Sequence, residues 1–516
     1  MMQRIVVCIL SGILSSACCG YGQDADSCTA LRAINLEGVE ITQSQSFAAG
    51  TSLPAAFPGA AGIGPLPAYC RIDGVLNRRK GVGGEQFGIR FAIALPDKAS
   101  WNGDFMMQGG GGGNGFVADP IGAGYAGNKP GLVRGFVVAS TDTGHKAKAG
   151  AFDFSFMQDQ QAYLDFAYLA NAAIAQIARR VIDRYYQKPA AHSYFIGCST
   201  GGREGMILSQ RYPDAFDGIV SGDPAMRTGL SNLAIAQWIP VAYNQAAPKD
   251  NAGTPQIDKF LTDRERTLFM DALMKRCDAK DGIADGMISD AMGCDFDPAV
   301  LACQAGQTEC ISPEKIAAIK KAFSGPVNAH GTQVYPGFLY DAGIASKFGA
   351  PGLLALGSRG VFGPYTTATE LDVDEVALQA SDPLVEPAST NLTTFSQRGG
   401  KLIFFHGNSD PWFSSLDTLR YYKSLAASKD GAEKVAAWSR LFLVPGMGHC
   451  GGGPALDQFD MLSAIVDWAE KGSAPDSVTA TGRAFPGRSR PLCAYPKHAQ
   501  YGGAGDSQDA RNFQCQ

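Results

Sequence analysis

Residues Tyr194 to Gly205 read "YFIGCSTGGREG" and carry the signature of the fold class. The first half is a short apolar run of the kind that forms a buried strand, and the second half, continued by "MILSQRYP", can form a helix. Between them "GCSTG", 197 to 201, fits G-x-S-x-G, in which a serine sits on a tight strand-to-helix turn and small neighbours permit the strained backbone. Three fixed positions make a weak match alone, and many surface serines would pass. The context strengthens it, because a helix starting beside Ser199 would aim its first amides at a developing oxyanion. Ser199 is the candidate nucleophile.

Outward from this stretch, short β-type runs alternate with longer amphipathic ones, which favours an α/β fold with a mainly parallel sheet covered by helices. Strands are expected at 87–95, 104–109, 135–141, 193–198, 217–222, 401–407 and 440–446, and one long helix at 159–187. Between Asp223 and about Phe395 the alternation fails, and four cysteines, an acidic cluster and Gly and Pro turns take its place. A chain that leaves its sheet and returns is one folding unit with an excursion. Two sequential domains would leave the C-terminal strands without partners. The expected organisation is a catalytic domain over 23–223 and 396–516 with an inserted lid domain over 224–395, since such excursions commonly cover an active site.

A serine hydroxyl attacks only when a base takes its proton, so a histidine must reach it. On sheets topped by such a serine turn, the acid and then the histidine follow it in the chain. Of the six histidines, His145 and His192 precede Ser199, His330 lies in the insert, His406 sits inside a strand, and His498 is in a Pro- and Gly-containing tail. That leaves His449, in "PGMGHCGGG", although a lone loop histidine is more often structural. The acid should follow the preceding strand, where "KLIFFHGNSDPWF" offers Asp410. It can hold the imidazole tautomer, or merely cap the turn before Pro411. Asp223, in "SGDP", is the rival, one strand too early.

Cys198 immediately precedes the serine and Cys450 immediately follows the histidine. If those side chains meet, their neighbours come close enough to bridge, since a disulfide needs Cα atoms within about 7 Å. An oxidising compartment agrees with this. "MMQRIVVCILSGILSSACCGYGQ" has the layout of a secretory signal over residues 1–22, the competing reading being a buried N-terminal helix. "SSAC", 15 to 18, loosely matches a lipoprotein processing site with Cys18 as a lipid anchor. Beyond Cys8, Cys18 and Cys19 the cysteines are even in number, which implies disulfides. Zinc competes weakly, because no C-x-x-C pair remains. No later segment is apolar enough to span a bilayer, and a net charge of −5 without a basic run argues against nucleic acid.

The serine after one cysteine and the histidine before another resemble the tannase and feruloyl esterase family. So do the Gly-rich strand end "MQGGGGGNG", "HGNSDPWF" and "LVPGMGHC", so that the likeness runs along nearly the whole mature chain. The resemblance implies an α/β-hydrolase core with a large inserted lid domain and hydrolysis of small esters of aromatic acids. Feruloyl, hydroxycinnamate or gallate esters are favoured over a terephthalate monoester, although the elbow region is similar to the bacterial terephthalate-monoester branch. It further implies Cys28–Cys70, Cys277–Cys294, Cys303–Cys310 and Cys493–Cys515 bridges. Oxyanion donors would be the amides of Thr200 and of Gly112, the latter within one or two positions of the glycine run. Structural calcium is implied at "CDAKDGIADGMISD", held by Asp278, Asp281, Asp285 and the carbonyls of Ile283 and Met287. That loop is not an EF-hand, and a solvated acidic turn is the plainer alternative. Trp412 and Phe413 are candidates for aromatic contact or for core, and Phe348, Arg359, Phe362 and Tyr365 are candidate lid contacts. A calcium-stabilised binding protein that kept the fold without the chemistry is the reading from another class.

Overall fold

The computed structural model describes residues 27–53, 63–347, 352–356, 364–428 and 431–516. The expected signal and Cys18 lie outside them. Every strand expected from the apolar runs forms, with small differences at the ends. They join a nine-stranded sheet of β1 (Val39–Phe47), β2 (Tyr69–Lys80), β3 (Gln86–Pro96), β4 (Phe105–Gln108), β5 (Val137–Thr141), β6 (Ser193–Cys198), β7 (Gly218–Gly222), β8 (Lys401–Gly407) and β9 (Ser439–Val444). The spatial order is β1-β2-β3-β5-β4-β6-β7-β8-β9. From β5 to β9 the neighbours run parallel, whereas β1, β2, β3 and β5 pair antiparallel. The sheet is therefore mixed. The antiparallel edge escaped the sequence reading because β1, "VEITQSQSF", is half exposed and largely polar.

The parallel strands are buried on both faces, and successive residues face opposite cores. Phe195, Ile219 and Phe404 pack with helix α1 (Ala170–Tyr186) on one side, while Tyr194, Val220 and Phe405 pack with the helix Met461–Lys471 on the other. The helix expected over 159–187 contains a π turn, Asp165–Leu169, just before α1. The guanidinium of the buried Arg203 donates to the carbonyls of Phe166 and Ala167 in that turn, at 3.1 and 3.0 Å.

The chain leaves the sheet after β7 and returns in β8 as its neighbour. Residues in between pack a core of their own, with Phe269, Leu273, Ile316, Ile319 and Phe323 at its centre. All five expected disulfides are present: Cys28–Cys70, Cys198–Cys450, Cys277–Cys294, Cys303–Cys310 and Cys493–Cys515. No helix among the described residues is long and apolar enough to cross a membrane.

Candidate active site

Ser199 sits between β6 and helix α2 (Thr200–Arg211) with φ 62° and ψ −123°, a backbone conformation that costs a non-glycine residue of order 1–3 kcal/mol. The turn is held on both sides. Ser199 N–H donates to the Gly222 carbonyl at 3.0 Å, and its own carbonyl accepts from Ala225 N–H at 3.0 Å. The small residues of the motif are required by packing, since a Cβ on Gly197 would lie 2.5 Å from the Gly201 backbone.

Asp410 and His449 meet as the chain order requires. His449 Nδ1 lies 2.7 Å from Asp410 Oδ2, while Asp410 Oδ1 accepts from the N–H groups of Trp412 and Phe413 at 2.8 and 3.1 Å. The Trp412 ring is tilted against the His449 imidazole at 4.5 Å. Burial alone would raise the Asp410 carboxyl, but His449 and His406 beside it hold it well below the usual carboxylate range. The carboxyl is thus anionic near neutral pH.

Beneath this pair lies a second layer that the sequence reading did not foresee. Asp223, the rejected rival acid, is fully buried; it accepts from Gly407 N–H at 2.8 Å and lies 3.3 Å from Cys198 Sγ. Between the two carboxylates sits His406, with Nε2 3.6 Å from Asp223 and 3.4 Å from Asp410, donating to the Phe413 carbonyl at 2.9 Å. Burial pushes Asp223 up to about 6. Burial lowers His406, yet the two carboxylates outweigh it and raise it. Asp341, from the insert, accepts from Ser409 Oγ at 2.7 Å and from Gly446 N–H at 2.7 Å, and so ties the acid loop to the histidine loop. The adjacency of Ser409 to Asp410 is the only hint of this in the sequence.

The glycine run folds over the N-terminus of α2. Gly109 N–H donates to Ile196, Gly110 N–H to Glu204 and Gly113 N–H to Ala151. Thr200 Oγ1 donates to the Gly112 carbonyl. Gly112, at φ +57°, joins Ser199 and Thr200 in lining a cavity of about 140 Å³. Most of the remaining wall is aromatic or aliphatic, with Phe152, Phe154, Met157, Val385, Trp412 and Phe413, while Arg203 and Thr228 add polar groups. Phe152 and Phe154 were missed because they stand in an irregular stretch without periodicity. Tyr365 does not line this cavity; its hydroxyl bonds the Leu356 carbonyl at 2.7 Å. Phe348, Arg359 and Phe362 lie outside the described residues.

In the acidic loop, framed by Cys277–Cys294, Asp278 accepts from the N–H groups of Asp285 and Gly286. Asp285 pairs with Arg490, and its carbonyl accepts from Arg488 at 2.8 Å. Burial, with Asp285 and Asp278 nearby, pushes Asp281 up to about 6. Ile283 and Met287 belong to the same loop, Met287 being buried. Among the described residues, the groups whose ligating atoms converge are Cys198–Asp223–Cys450, Asp104–His192–Glu470 and Asp223–His406–Asp410, not these aspartates. The first of these contains the disulfide and cannot ligate through thiolates.

A family model described as tannase and feruloyl esterase matches residues 70–354 and 363–516. The chain is 36% identical to the mono(2-hydroxyethyl) terephthalate hydrolase of Piscinibacter sakaiensis, over 89% of this chain and 87% of that protein. The crystal structure of feruloyl esterase B from Aspergillus oryzae superposes with a TM-score of 0.76 at 26% identity, covering 95% of this chain and all of that one. The tannin acyl hydrolase of Aspergillus niger, 22% identical and covering 95% of this chain and 94% of that one, shares the fold with a TM-score of 0.66.

Proposed function

Since the chain belongs to the tannase and feruloyl esterase family and is a carboxylic ester hydrolase, we propose that it works through an acyl-enzyme on Ser199 and acts on small esters of aromatic acids. His449 takes the proton of Ser199 as the hydroxyl attacks the ester carbonyl. The oxyanion rests on the amides of Thr200 and Gly112. His449 then protonates the departing alcohol, and a water activated by the same imidazole releases the acid. Asp410 keeps Nδ1 protonated and stabilises the imidazolium. The observation that carries this reading is the 2.7 Å Asp410–His449 pair, joined through the Cys198–Cys450 bridge to a serine at φ 62°.

An aromatic acyl group is supported by the Phe152, Phe154, Trp412 and Phe413 rings in the wall of the cavity that Ser199 lines. Within this class we favour feruloyl, hydroxycinnamate or gallate esters, with a terephthalate monoester as the second reading on the strength of the 36% relative. The insert, 224–395, acts as a lid, a reading supported by Thr228 and Val385 in the cavity wall. The bridges support a secreted or periplasmic protein, and mass spectrometry of the mature N-terminus distinguishes free secretion from a lipid anchor at Cys18.

Structural calcium is proposed at the acidic loop, where the side chains of Asp278, Asp281 and Asp285 with the carbonyls of Ile283 and Met287 would hold it. An all-oxygen donor set suits this hard cation, which would compensate clustered negative charge and take no part in the ester chemistry.

The test is turnover of methyl ferulate, methyl gallate, chlorogenate and mono(hydroxyethyl) terephthalate by the wild type and Ser199→Ala. The ferulate or gallate esters should be fastest and the variant inactive. Preference for the terephthalate ester would establish the second reading, and no turnover of any would sink both.

A further inference from the structure

Glu204 stands one helical turn past Thr200 and is 3% exposed. Its Oε2 accepts the Gly110 N–H at 3.1 Å, and its Oε1 accepts Asn114 Nδ2 at 2.6 Å. These two partners bracket Gly111, Gly112 and Gly113. A glycine run has no side chains to pack, and its freedom of φ and ψ is wide, so its conformation must be set by bonds from outside it. The same turn of α2 supplies two more, from Gly201 N–H to the Gly110 carbonyl at 3.1 Å and from Thr200 Oγ1 to the Gly112 carbonyl.

We propose that Glu204 is a positioning residue for the oxyanion hole, fixing both ends of the glycine segment against the helix that follows the nucleophile and so setting where the Gly112 amide points. The inference rests on the serine-hydrolase reading above. A buried carboxylate is an expensive way to fill space. Burial pushes its carboxyl up, while Arg203 and the bonds from Gly110, Asn114 and Asn171 oppose that rise. An apolar residue would avoid the cost of burial but would leave the Gly110 N–H and Asn114 without their acceptor. Charge on the substrate oxygen develops only on the way to the tetrahedral intermediate. A displaced donor therefore raises the barrier and leaves ground-state binding alone.

The test compares Glu204→Ala and Glu204→Gln in the full chain, using the panel ester turned over best. A phenylboronic acid, which forms a tetrahedral adduct on the serine, probes the oxyanion hole, and the free product acid probes ground-state binding. Glu204→Ala is expected to lower kcat about tenfold or more with KM nearly unchanged. It should weaken the boronic acid in parallel and leave the product acid alone. Glu204→Gln keeps an acceptor for Gly110 and should recover most of the loss. If Glu204→Ala does not fold, Asn114→Gly removes one of the two bonds at a residue whose φ of 52° suits glycine, and the same split is expected at smaller size. Wild-type kcat and boronic acid affinity in the folded variant would overturn the proposal, as would a loss carried by KM and product binding. Loss of turnover in Ser199→Ala keeps the serine reading standing in either case, whereas an active Ser199→Ala would remove that reading itself.

Discussion

Cys198 and Cys450 are bonded to each other across 252 residues, their Cα atoms 6.0 Å apart, so the residue before Ser199 is joined to the residue after His449. Cys198 ends β6 and Cys450 lies in the loop after β9, and β7 and β8 separate those two strands in the sheet. The Tyr125 hydroxyl adds a second hold, donating to the Cys450 carbonyl at 3.1 Å. The bridge thus spans the gap that proton transfer from Ser199 to His449 would cross in the proposed mechanism.

Replacing both cysteines by serine should lower kcat on the order of 10²-fold, the scale of a misplacement near 1 Å. The chain-entropy model assigns a loop of this length roughly 5 kcal/mol, so a lower unfolding midpoint should accompany the loss. The other bridges and both faces of the sheet are untouched, and the variant should remain folded by circular dichroism. Unchanged kinetics would mean that the side chains hold their own geometry.

The register of the glycine run is testable by one methyl group. A Cβ on Gly112 would lie 2.3 Å from the Ala151 carbonyl oxygen, at a φ of +57° that alanine resists, whereas a Cβ on Gly111 meets nothing within 4 Å. Gly112→Ala is expected to lower kcat by about 10²-fold or more, and Gly111→Ala to leave it near the wild type. The reverse ranking in steady-state kinetics would shift the donor by one position.

Asp142 is wholly buried, bonded to Arg90 and Gly144, and burial pushes its carboxyl up to about 6. Its folded value lies above the ordinary value near 3.9, so the native state binds more protons between about pH 4 and about pH 6. This contribution favours the fold at the acid end of that window and is lost as pH rises through about 6. Asp142→Asn cannot titrate. The stability of the wild type relative to the variant should fall by up to about 2 kcal/mol from the acid to the neutral end, read from urea midpoints. Parallel pH curves for the two proteins would contradict the assignment.

Calcium, if it sits at Asp278, Asp281 and Asp285, stabilises without catalysing. Chelation should lower the melting temperature by several degrees and leave kcat at low temperature nearly intact, with calcium restoring the loss. A melting curve indifferent to chelator and to added calcium would favour the solvated turn, in which Asp285 is satisfied by Arg490.

The candidate triad was legible because each member stands in a local pattern at the end of an apolar run, and because Cys198 and Cys450 mark two of the three by adjacency. The parallel strands were legible for the same reason, being continuous apolar runs buried on both faces. What was not legible depends on which loops fold together. Glu204 reads as an ordinary helix residue until the glycine run lies over it, and Asp341 as a loop aspartate until Ser409 and Gly446 arrive on either side. Asp223 reads as an acid one strand too early, and its burial beside His406 cannot be seen in the sequence. Phe152 and Phe154 carry no period, and residue type alone does not place the aromatic side chains of the insert.

In the proposed mechanism Ser199 is an activated nucleophile. The direct measurement is labelling of the purified, folded protein by a fluorophosphonate probe, with the modified peptide located by mass spectrometry. Labelling should be stoichiometric on Ser199, abolished in Ser199→Ala and slowed in His449→Ala. A folded wild-type protein that takes up no probe, or takes it up at another residue, would contradict that mechanism.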